Sequence, residues 1–117
     1  MTNRISLSEK FSLFHEHWRP KVIAAINGQE VKLVKLQGEF PWHRDEFFLV
    51  WQGRFRVEFR DRAFELGPGD CIVVPRGIEH RTGADDEAQV LCFEPAGVVN
   101  TGDVIDVVYT APSGIAI

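Results

Sequence analysis

The sequence predicts an all-β domain whose strands close into a barrel or stack as two antiparallel sheets. Three observations point there. Short runs rich in β-branched and aromatic residues recur along most of the chain, with turn signals at close spacing between them. The cleanest run, 54–60, alternates: Phe55, Val57 and Phe59 on one face, Arg54, Arg56, Glu58 and Arg60 on the other. Helical spacing occurs in one stretch alone, near the N-terminus.

With 117 residues one domain is expected, 1–117, with its strand core at about 31–95. Folding at this length buries roughly two-thirds of the surface the unfolded chain exposes. Nine Phe and three Trp supply large side chains for the interior. The net charge is −4 and no Lys- or Arg-rich block occurs, which argues against sequence-independent nucleic-acid binding. No run approaches the roughly 20 apolar residues of a membrane helix. The first residues lack the apolar centre of a secretory signal, so a cytoplasmic location is expected. Cys71 and Cys92 sit in apolar, strand-like contexts and are expected as buried thiols; a bridge between them would need neighbouring strands. They lack the CxxC spacing of a zinc ribbon.

In chain order, Ser6 and Glu9 fit a capping box, and Phe11, Phe14 and Trp18 recur at three- and four-residue spacing. A short amphipathic helix is expected over 7–17, with Pro20 ending the segment. His15 and His17 point to different faces of it and make poor joint ligands. Lys21–Ile26 and 31–37 form a hairpin through Asn27-Gly28. The unbroken apolar run 47–51 suits a strand buried on both faces. Gln52-Gly53 turns the chain into 54–60, and Asp61-Arg62 turns it back into Ala63–Leu66. Gly67, Pro68, Gly69 and Asp70 make a tight turn before the strand Cys71–Val74. Pro75 and Gly77 break the ladder, and His80 follows. Residues 83–86 read as a polar loop, 89–93 as a strand, and 104–109 as a further strand. No repeat or linker divides the chain.

Two blocks carry candidate chemistry. One runs Gly69, five residues, Pro75, one residue, Gly77, two residues, His80. The other is Trp42-His43-Arg44-Asp45-Glu46, then six residues, then Gly53. These resemble the two motifs of the cupin superfamily. The family's second motif, G-x5-P-x-G-x2-H-x3-N, is matched through His80, with Ala84 in the place of Asn. Its first motif has a His-x-His pair, a Glu, six residues and a Gly. His43, Glu46 and Gly53 match it, and the second His has no counterpart. The resemblance implies a small double-stranded β-helix barrel, a form of jelly roll. It also implies a divalent metal inside, held by three histidines and one glutamate. Carried over residue by residue, the metal ligands are His43, Glu46 and His80, and Asp45 offers an oxygen where the second imidazole is missing.

Imidazole nitrogen and carboxylate oxygen suit Zn²⁺, Mn²⁺, Fe²⁺ or Ni²⁺. Two His and one carboxylate with open positions is the facial arrangement of many Fe²⁺ oxygenases. Three protein ligands plus water suit a catalytic zinc. Residues three apart on an ideal strand face opposite sides, so His43 and Glu46 both point inward only if the turn bends between them. Plainer roles stand beside these. Glu46 also suits a solvated turn carboxylate next to Arg44 or Arg76, His43 a packing histidine, Asp70 a turn residue, and Arg76 and Glu79 the solvent face.

Three functions follow from the resemblance. The first is a small metal-dependent enzyme acting on a small organic substrate. The second is a non-enzymatic module that binds or senses a small molecule, a reading the missing histidine and Ala84 favour. The third is a barrel whose metal site is degenerate. Phe48, Val50, Phe55, Val57, Val73 and Leu91 are expected to line the lumen or pack its outer face, which makes any cavity apolar. A homodimer is expected, built from the aromatic N-terminal segment and the tail.

Overall fold

The computed structural model describes residues 3–43, 46–75, 77–96 and 115–117, and among these the side chains except at 40–43 and 46. One helical turn, α1 (Leu7–Phe11), precedes β1 (Lys21–Ile26), β2 (Gln29–His43), β3 (Glu46–Gln52) and β4 (Phe55–Glu58). Then come β5 (Ala63–Leu66), β6 (Cys71–Val74), β7 (His80–Pro95) and the short β8 (Ile115–Ala116). The strand expected at 104–109 lies outside the described residues.

The strands close as a jelly-roll barrel organised on β7. Along one edge β7 pairs antiparallel with β2 almost throughout, from His43↔His80 to Gln29↔Pro95. Its other edge is shared. β4 takes the first part, with Val57 opposite Thr82, and β3 takes the second, with Val50 opposite Val90. The change of partner coincides with a bulge: β2 steps from Leu36 to Gly38 while β7 steps from Ala88 to Ala84. The polar loop expected at 83–86 is therefore corrected. Gly83 and Ala84 are strand residues, and the acidic residues Asp85, Asp86 and Glu87 swell out of the ladder, which bends the strand and raises its twist.

Alternation sorts the side chains into two layers. Val34, Leu36, Phe48, Val50, Phe55, Val57, Val74 and Val90 fill the barrel. On the outer face Leu33 and Leu91 form a second cluster with Phe11 and Phe14, with Leu49 and Trp51 packed against it. The apolar run of β3 thus serves both layers, as its lack of alternation predicts.

The N-terminal helix is shorter than the expected 7–17. Ser6 accepts a hydrogen bond from the Glu9 N–H at 3.3 Å, as the capping pattern requires. Ser12 ends the helix: its hydroxyl donates to the Glu9 carbonyl at 2.6 Å, a local bond that competes with helix continuation. Phe14 reaches the same cluster as Phe11 from non-helical chain, so the aromatic spacing survives without the helix.

Both expectations for β6 need revision at its outward positions. Cys92 is buried but Cys71 is exposed, and both thiols are free. They pair on opposite edges of β3, Cys71 with Leu49 and Cys92 with Phe48. In Cys-Ile-Val-Val the inward pair is Ile72 and Val74; Val73 faces outward at 64% exposure and lines no lumen.

Candidate metal centre

Two turns deliver His80. In the first, the Gly67 N–H donates to the Asp70 carboxylate at 2.9 Å, and the Gly69 N–H donates to the Val50 carbonyl at 2.8 Å. The turn is thereby tied to β3, and Asp70 has the structural role its type suggests. Gly69 stands at φ +89° and Gly77, in the second turn, at φ +84°. Side chains are disfavoured there, which is the physical reason for both glycines of this motif.

His80 opens β7 on its inward side and is completely buried. Phe48 meets its ring edge-on at 5.9 Å between centroids, and Phe59 lies tilted at 6.4 Å. The Nδ1 atom sits 3.3 Å from the Ile78 carbonyl oxygen. A carbonyl only accepts, so that contact calls for a proton on Nδ1 and leaves the ligating lone pair on Nε2.

The other candidates are fixed by backbone position. His43 ends β2 and is the Cα partner of His80. Glu46 begins β3 opposite Val74. Asp45 lies outside the described residues, as do the side chains of His43 and Glu46. Among the described residues, no three His, Cys, Asp or Glu side chains converge on one point. The donor types still fit a borderline divalent ion: an imidazole buried between aromatic walls, a second imidazole at the facing register position, and a carboxylate at the start of the next strand.

Residues 80, 82 and 84 share the inward face, and Thr82 is 2% exposed there. Thr82 went unnoticed in the sequence because the loop signal at 83–86 hid the period-two pattern His80, Thr82, Ala84. Phe59 also lines an open hollow of about 810 Å³, together with Phe64, Ile72 and Ile78 and the ion-paired Arg60 and Glu79, 2.9 Å apart. On the outer surface of β4 and β7, Arg81 foremost and Arg56 second hold the Glu58 carboxyl below its ordinary range.

Comparisons bear on this geometry. A family model described as Cupin domain matches residues 25–94. The crystal structure of a cupin-2 domain containing protein from Shewanella frigidimarina is 43% identical, covers 78% of this chain and 93% of its own, and superposes with a TM-score of 0.76. The uncharacterized protein YdbB of Bacillus subtilis is 28% identical over 99 residues, 80% of this chain and 85% of that protein. The hydroquinone 1,2-dioxygenase PnpCD, solved in complex with Fe³⁺, shares the fold at 19% identity and a TM-score of 0.70, over 81% of this chain and 33% of its own.

Proposed function

The chain belongs to the cupin-domain family, and from that premise we propose that the His80 end of its barrel holds a divalent metal ion and acts on a small organic substrate. His43, Glu46 and His80 are the ligands, and Asp45 is a candidate for the position left by the missing second histidine. The observation that supports this most is the β2–β7 register, in which His43 is the Cα partner of a fully buried His80. Directly opposed residues of an antiparallel pair have Cβ atoms about 4.5–5.5 Å apart, a spacing that suits two imidazoles sharing one ion. A dioxygenase of the same fold is known with Fe³⁺, which makes the chemistry familiar for this architecture.

A bound ion would supply Lewis acidity toward a substrate oxygen or water. The chain's own groups do the rest. The Ile78 carbonyl orients the His80 ring. Phe48 and Phe59 keep water from it and leave an apolar wall for the body of a small ligand.

A second reading, a binding module without chemistry, draws on Ala84, a buried residue where the family motif has Asn. Elemental analysis separates the two. Protein purified without chelator is expected to carry about one divalent ion per chain. His80→Gln, which keeps a hydrogen-bonding group of similar volume, and His43→Ala are expected to lose it. Full metal content in either variant removes that residue from the ligand set. Metal-free wild type that is stabilised thermally by an organic ligand and not by added metal favours the binding module.

A further inference from the structure

The wall of the barrel has a seam. Among the described residues β5 pairs with β4 alone and β6 with β3 alone, so no ladder joins β5 to β6. Both strands turn apolar side chains inward along it. Leu66 of β5 is buried in the core opposite Phe55, and Phe64, two residues earlier, shares its face opposite Val57. Ile72 packs against the same core from β6. The hollow of about 810 Å³ lies at this seam, with Phe59 and Ile78 completing its apolar lining.

Phe64 sits on the core-facing side of its strand and is still 41% exposed. It meets Phe59 edge-on at 6.0 Å, and the two rings form an aromatic corner. Phe59 in turn lies 6.4 Å from the His80 ring, so one side chain borders both the hollow and the candidate metal centre. The charges around the rim are unevenly committed. Arg60 is bound to Glu79 at 2.9 Å. The Arg62 guanidinium lies over the Phe64 ring, 5.3 Å from its centroid, and forms no ion pair among the described residues. Stacking on a ring holds a guanidinium in place without neutralising it or using its N–H fork.

We infer that the hollow binds a small monocarboxylate with a flat apolar body. Arg62 takes the carboxylate, and the body lies in the corner of Phe59, Phe64, Ile72 and Ile78. This names a substrate class for the His80 site; it rests on the function proposed above for the fate of the ligand, and not for its binding. Charge selects the ligand. One free guanidinium suits one carboxylate, which it grips with two parallel N–H···O bonds. A dianion such as a phosphate monoester would meet the Asp61 carboxylate at the same rim, with a single uncommitted cation to answer both. A neutral apolar molecule would leave the Arg62 fork unused.

Isothermal titration calorimetry of the full chain with cinnamate tests this. Wild type should bind cinnamate about tenfold or more tightly than cinnamyl alcohol, its neutral counterpart. Phenyl phosphate should bind more weakly than cinnamate. In Arg62→Gln the affinity for cinnamate should fall to that for the alcohol. Arg54→Gln, on an exposed arginine that does not line the hollow, should change neither. Phe64→Ala should weaken acid and alcohol alike. Wild type that binds no cinnamate, or binds acid and alcohol equally, overturns the inference. Cinnamate affinity that survives Arg62→Gln overturns it too; if that affinity then disappears on chelation, the carboxylate sits on an ion instead. Wild type that carries no metal and still prefers cinnamate through Arg62 upholds the hollow even where the metal reading fails.

Discussion

Gly53 stands at φ +84°, and a Cβ built on it would meet the Glu87 carbonyl oxygen at 2.7 Å and the Ala88 Cα at 2.9 Å. Both are backbone atoms beside the β7 bulge, so neither yields cheaply. Gly69 has a similar φ of +89° with nothing within 4 Å. Alanine at Gly69 is expected to cost about 1 kcal/mol for the left-handed backbone alone. Alanine at Gly53 is expected to cost more than about 2 kcal/mol, because a steric clash adds to the same strain. Urea denaturation of the two variants checks the order; equal losses would mean the β3–β7 approach is looser than described. Both glycines were legible as motif and turn positions, and at Gly69 the turn is the whole reason. Gly53 has a second reason, the close approach of the Glu87–Ala88 backbone in β7, and no local pattern points there. Cys71 was misread for a related cause: a four-residue apolar run does not say which alternate members face out.

At the scale of elements, the N-terminal segment is held by Phe11, 1% exposed in the outer cluster. Phe11→Ala should cost about 3–5 kcal/mol, in line with other buried aromatic truncations, and thermal denaturation reads it. A loss under about 1 kcal/mol would mean that the segment does not depend on that contact. The β4–β7 pairing carries a pH signature. Arg81 and Arg56 lower the Glu58 pKa, so the folded state gains from this carboxylate when it is ionised. That gain is present above the ordinary carboxylate range and fades as pH falls through it. Glu58→Gln should therefore lose at most about 1 kcal/mol at pH 7, and the gap to wild type should close below about pH 4. A gap that widens in acid would contradict the sign. Most strands were readable because turn residues bracket them: the Asn27-Gly28 hairpin stands at φ +51° and +77°, as its dipeptide predicts. The 83–86 loop was not readable as a bulge. Glycine followed by acidic residues signals a loop until β2 is seen to continue past it on the far side.

For the whole molecule, the jelly-roll class followed from strand count, alternation and the two motif blocks, and the family match over 25–94 agrees. Surface assignment did not follow. That Arg56, Glu58 and Arg81 form one charged cluster on the outer surface emerges only when strands far apart in sequence are laid side by side. The functional reading rests on the same long-range pairing, since β2 and β7 bring residues 43 and 80 opposite one another.

Anomalous diffraction from crystals of metal-replete protein, collected at the absorption edge of the bound ion, examines that pairing at atomic scale. One peak is predicted inside the barrel, beside Nε2 of His80 and shared with His43, at about 2.0–2.1 Å if the ion is zinc. Ions found on the outer surface alone, with His80 still enclosed by Phe48 and Phe59 and bound to none of them, would contradict it.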